Sequence, residues 1–192
     1  MSSQVSTLPR HSLNARQAET VARLLAAAAE ELEGVGHEAL TIRSVAQRAG
    51  VSPATAYTYV ASKEHLFAEL FWRLLVDDEG PQLQGRTPTA RLQETTRHLA
   101  TLIAGAPATA AAATKSLLGN DPQVERLRLR IGARFLDRFR AALGDDARAD
   151  VLETIQFAFF GGLLQAGMGV LTYEELASRL DEVVAVIMAG TS

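Results

Sequence analysis

The sequence predicts an all-α protein of about nine helices, and three observations carry that expectation. Apolar residues recur at helical spacing along most of the chain, with no convincing run of the strict alternation that marks a strand. Alanine, the strongest intrinsic helix former, occurs 33 times in 192 residues. The pairs Ala106-Pro107 and Asp121-Pro122 put proline near the first position of a helix, where its missing N–H removes no hydrogen bond.

Taken in order, a first helix over about Ala15–Glu33 places Val21, Leu24, Leu25, Ala28 and Leu32 on one face, and Gly34 and Gly36 end it. Two short helices follow, about Ile42–Ala49 and Pro53–Tyr59. A fourth, about Lys63–Asp78, carries Leu66, Phe67, Leu70, Phe71, Leu74 and Leu75 on one side. Gly80, Pro81, Gly85 and Pro88 then break the helical pattern. Helices over about Thr89–Ala104, Pro107–Leu118 and Pro122–Leu143 come next, the last closed by Gly144. The final two run over about Arg148–Val170 and Tyr173–Ala189, and Thr172 with Glu175 forms a capping box for the latter. Residues 1–62 are expected to form an N-terminal arm and one helical module, and residues 63–192 a second. The fourth helix is expected to belong to both.

Composition removes several classes of function. Cysteine is absent, which excludes disulfides, thiol nucleophiles and Cys-ligated zinc. No apolar run approaches the ~18 residues of a membrane span, and the polar start lacks a signal-peptide core, so a soluble cytoplasmic protein without membrane contact is expected. There is no Gly-x-Ser-x-Gly and no Walker loop. Gly34-x-Gly36-x-x-Ala39 follows a helix instead of a strand, so it is no dinucleotide fingerprint. His11, His37, His65 and His98 have no metal-ligand spacing. No enzyme activity, cofactor or metal is expected.

Net charge is −3, yet its distribution is uneven. From Thr41 to Lys63 there are three cations (Arg43, Arg48, Lys63) and no acidic residue, so this window is +3 and the remainder −6. The same window reads as a helix-turn-helix. Thr41 is a sound N-cap, and Ile42, Val45, Ala46 and Ala49 form an inner face. Gly50 stands where a left-handed residue turns the chain. Ser52 then caps a helix beginning at Pro53. In such a motif the second helix enters the major groove of double-stranded DNA. Its residues suit that: apart from the inward Ala56 and Val60, they are small or hydroxylated and none is acidic.

The run from about Ala15 to Phe71 resembles the DNA-binding domain of the tetracycline-repressor (TetR) family of bacterial transcription regulators. The match lies in a long first helix, then Thr41, Ala46, Gly50-Val51-Ser52, Thr55, Tyr57, Ser62-Lys63-Glu64, Leu66 and Phe67. The resemblance implies that Thr41, Tyr57 and Lys63 hold phosphates. It implies that Arg43, Pro53, Ala54, Thr55, Thr58 and Tyr59 face bases, with Ser52 at the helix start. Ala56 and Val60 depart from the family's usual leucine and phenylalanine, which shrinks the core under the recognition helix. The resemblance further implies a homodimeric repressor that binds a palindromic operator and is released by a small apolar or amphipathic molecule.

In the second half, Ala158, Gly162, Ala166 and Gly169 form a stripe of small residues, and Leu180, Val184 and Ile187 share a face of the last helix. Both are expected at a dimer interface. Trp72, His98 and Gln165 are the candidates for a ligand pocket, being polar or amphipathic on apolar helices. The competing reading is a helical ligand-binding or scaffold protein that binds no DNA.

Overall fold

A computed structural model describes residues 10–190, with side chains from residue 15, so the expected N-terminal arm lies outside the described residues. The described residues form nine α-helices and no strand. They are α1 (Arg10–Ala39), α2 (Ile42–Arg48), α3 (Pro53–Tyr59), α4 (Lys63–Val76), α5 (Pro88–Ala104), α6 (Pro107–Leu117), α7 (Pro122–Leu143), α8 (Ala149–Gly167) and α9 (Tyr173–Ala189). A single 3₁₀ turn, Gly144–Asp146, joins α7 to α8. None of these helices is long and apolar enough to cross a membrane.

Two differences from the expected boundaries have local causes. α1 continues past Gly34 and breaks at Gly36, whose φ of 75° is left-handed backbone. α8 stops at Gly167 because Gly169 (φ 74°) closes it: the Val170 N–H reaches the Gln165 carbonyl at 2.9 Å and the Gly169 N–H reaches Ala166 at 3.0 Å. Gly169 therefore lies beyond the helix and does not extend the small-residue stripe.

The core divides into two clusters that share α4. Leu24 and Leu32 of α1, Ile42 and Val45 of α2, and Ala56 of α3 pack with Leu66, Phe67 and Leu70 of α4. Ala68, Phe71 and Leu75 of the same helix join the larger cluster built from α5 to α9. There Phe135, Phe139 and Phe159 are fully buried, with ring centroids 5.0 Å (135–159) and 5.3 Å (139–159) apart. Two sides of α4 thus feed two cores, whereas the hydrophobic pattern puts its apolar residues on a single side.

Both ends of α4 are also tied to α7. At the start, the Ser62 hydroxyl caps α4 through the His65 N–H and donates to the carboxylate of Asp121, the N-cap of α7. This bond, aided by the Gln123 N–H, holds the Asp121 carboxyl below the ordinary carboxylate range. At the far end, Arg138 of α7 meets the Asp78 carboxylate at 2.7 Å and donates to the Leu75 and Asp78 carbonyls. His98 of α5 reaches the same carboxylate at 2.8 Å. Gly80 (φ 90°) lies flat on the guanidinium, so close that a β-carbon would sit 2.5 Å from Arg138 Nη1.

Candidate functional site

The turn between α2 and α3 is assembled from local signals. The Thr41 hydroxyl accepts from the Ser44 N–H at 3.0 Å and the Ser44 hydroxyl accepts in return from the Thr41 N–H, a closed capping box. Gly50, at φ 67°, lets its own N–H reach the Gln47 carbonyl and that of Val51 reach Ala46. Ser52 then accepts from the Thr55 N–H at 3.0 Å, with Pro53 opening the helix. Ala56 and Val60 are buried, which fixes the opposite face outward.

That outward face carries Pro53, Ala54, Tyr57 and Thr58, with Thr41 and Arg43 exposed beside it. Tyr57 is 52% exposed, a large exposure for an aromatic side chain. Two of the expected contacts are used differently. Tyr59 is half-buried and packs with Val21 against the smaller core, three residues on from Ala56 and so on its inward side. Thr55 is half-buried, with its hydroxyl 2.8 Å from that of Ser52.

The cationic island is smaller than its sequence count. Arg48 pairs with Glu31 at 2.8 Å and Glu30 at 3.4 Å, which strengthens the α1–α2 contact. Lys63 donates to the Glu38 carbonyl at 2.9 Å and lies over the Phe67 ring. Arg43 is exposed and has no hydrogen bond or ion pair among the described residues, so its charge is available to a partner.

A cavity of about 390 Å³ lies in the larger core, walled mainly by α6, α7 and α8. Its wall includes Phe71 of α4, Thr114 of α6, Arg128 and Gly132 of α7, Phe160 and Gly161 of α8, and Tyr173 of α9. Trp72, His98 and Gln165 do not line it. Trp72 is one residue, or about 100° of helix, round from Phe71, and the Arg130 guanidinium covers it at 4.1 Å. His98 is held by Asp78, and Gln165 is exposed on the outer side of α8. Among the described residues no group of three or more His, Asp or Glu side chains is placed to hold a metal ion.

The proposed dimer stripe is likewise mostly used within one protomer. Ala166, Leu180 and Val184 are buried in the larger core, and Ile187 packs against it. A β-carbon on Gly162 would stand 2.4 Å from Leu176 Cδ1, so that glycine serves the close approach of α9 to α8. Ala158 is half-buried. The exposed apolar residues lie one step round: Phe157 on α8, Met168 at its C-terminal cap and Val186 on α9.

Residues 24–70, spanning α1 to α4, match the family described as bacterial regulatory proteins, tetR family. An uncharacterised HTH-type transcriptional regulator of Mycobacterium bovis is 42% identical over 183 residues, covering 94% of this chain and 86% of its own. The chain belongs to the TetR family of bacterial transcription regulators. Solved TetR structures agree in fold. A regulator from Rhodococcus sp. RHA1 superposes with a TM-score of 0.73 at 20% identity, covering 92% of this chain and 100% of its own. FadR of Thermus thermophilus, a TetR repressor solved with lauroyl-CoA, gives 0.66 at 21% identity over 88% and 94%. TetR membership favours a DNA-binding regulator over the scaffold reading and over any enzyme.

Proposed function

We propose that this TetR-family protein is a cytoplasmic homodimeric repressor that binds a near-palindromic operator and releases it when a small apolar or amphipathic molecule enters the cavity. The observation that carries this reading is the double membership of α4. Only Val60, Ala61 and Ser62 separate it from the recognition helix, while its Phe71 forms part of the cavity wall. A ligand that displaces Phe71 therefore has a short route to the reading head. We place the dimer contact on Phe157 of α8, Met168 just beyond its end, and Ala185, Val186 and Ala189 of α9, an exposed apolar face that the protomer leaves uncovered. DNA contacts are assigned to Thr41, Arg43, Ser52, Pro53, Ala54, Tyr57 and Thr58, with Lys63 and Thr55 supporting the turn.

Two tests address the two sites. Arg43→Ala should relax preference at particular base pairs by roughly 1–3 kcal/mol, if its fork engages guanine. Tyr57→Phe should weaken all sequences alike, because phosphate contacts position without specifying. Competition gel shifts with single-base variants of the upstream DNA measure both, and unchanged specificity in Arg43→Ala removes the base-reading assignment. For the cavity, Gly132 is interior to α7 and a β-carbon there meets nothing within 4 Å. Gly132→Leu should fill the space, remove binding of apolar dyes, and raise stability by at least the ~0.5–1 kcal/mol that a helix gains on losing glycine. Dye titration and thermal unfolding check the pair of effects.

A further inference from the structure

Tyr173 opens α9 and is buried, with only 8% of its surface exposed, yet its hydroxyl has no hydrogen-bond partner. It lies on the wall of the cavity, whose remaining surface is overwhelmingly apolar. A buried hydroxyl without a partner is costly, and native chains seldom leave one without reason. Its polar neighbour is Thr114, whose hydroxyl donates to the Ala110 carbonyl at 2.9 Å and stands outside hydrogen-bond geometry with the phenol. Thr114 is also confined: a β-carbon on Gly167 would lie 2.7 Å from its Cγ2 and Oγ1. Burial pushes the Tyr173 phenol up from its ordinary value, so the group stays protonated and able to donate.

We infer that Tyr173 is the specificity-determining residue of the cavity, and that the ligand is an uncharged amphipath whose carbonyl-type oxygen accepts from its hydroxyl. The inference rests on the cavity being the effector site. A carboxylate is disfavoured at this position because Tyr173 and Thr114 are both neutral and the charge would be desolvated. The one cation on the wall, Arg128, already holds the Leu117 carbonyl at 2.7 Å and that of Gly119 at 2.6 Å. Most of the remaining wall supplies dispersion and apolar burial, so the Tyr173 hydroxyl sets how the molecule lies.

Three probes of equal carbon count separate the possibilities: butylbenzene, butyrophenone and phenylbutyrate. Each is titrated against the full-length protein and its Tyr173→Phe variant by displacement of a fluorescent apolar dye. Tyr173→Phe should weaken butyrophenone about tenfold, the value of one neutral hydrogen bond, and leave butylbenzene within about twofold. Phenylbutyrate should bind the wild-type protein more weakly than butyrophenone at neutral pH. The variant's unfolding midpoint should be unchanged or raised, since it loses an unsatisfied polar atom. If butyrophenone and butylbenzene bind and respond equally to the substitution, the anchor role is wrong while the cavity reading stands. A fall of several degrees in the midpoint would show a hydroxyl bonded within the protein and overturn the inference. Tighter binding of phenylbutyrate would overturn the uncharged class. If no probe binds the wild-type protein, the cavity reading fails and this inference with it.

Discussion

Val186→Arg is expected to give a folded monomer that has lost operator binding. Val186 is 74% exposed on α9, so the charge meets water in the free protomer and leaves its core untouched. In the proposed dimer the same charge is desolvated against the partner's apolar face. Affinity for a two-half-site operator should fall by roughly 10²–10⁴-fold, because each reading head must then bind without its linked twin. Sedimentation and gel shifts read the two consequences separately. Gly162→Leu supplies the contrast. Its new side chain collides with Leu176 of the same protomer, so it should cost about 1–3 kcal/mol of stability, as overpacking does, before it affects association. A Gly162→Leu protein that is as stable as wild type but monomeric would return that glycine to the interface.

Asp78→Ala should lower the unfolding midpoint by about 10 °C. Arg138 is 8% exposed and the Asp78 carboxylate is its acidic partner, so truncation leaves a buried cation uncompensated, a loss of about 3–5 kcal/mol. At this chain length each kcal/mol moves the midpoint by about 2–4 °C. The damage should also spread, because the carboxylate joins the end of α4 to α5 and α7 at once. Its protonation has a defined direction. Burial alone would raise the Asp78 pKa, but the His98 hydrogen bond and the nearby Arg138 and His98 charges outweigh it and the net shift is downward. A carboxyl depressed in the folded state stabilises fully above its unfolded value, about 3.9, and that contribution disappears as pH falls through the lower folded value. Wild type should therefore lose the difference from Asp78→Ala only in strong acid, and unfolding midpoints followed down a pH series check this.

The helix-turn-helix was legible because its geometry is set by residues adjacent in sequence. Thr41, Gly50, Ser52 and Pro53 each dictate a cap or a turn without reference to anything distant, and all four take the conformation that their chemistry favours. The partial burial of Tyr59 was not legible, because a seven-residue helix has no repeat long enough to separate its flank from its outward face. The second half was harder for a physical reason. Gly161 and Gly162 are neighbours of one type, yet Gly162 admits Leu176 while Gly161 faces open space on the cavity wall. Only the position of α9 distinguishes them, and no local pattern encodes it. The same holds for Phe71 and Trp72, where one step along α4 separates the wall of the cavity from a ring covered by Arg130. Leu180 and Val184 satisfied the periodicity of an interface helix, but that periodicity marks any buried face, and here the buried face belongs to the protomer's own core.

In the proposed dimer, α2 and α3 of both protomers read one DNA site. Footprinting of the full-length protein on the DNA upstream of its own coding sequence tests it most directly. Wild type should protect a near-palindrome with half-sites one helical turn, ~34–36 Å, or a multiple apart, and Val186→Arg should lose the footprint. Protection of a single asymmetric half-site, unchanged in Val186→Arg, would contradict it.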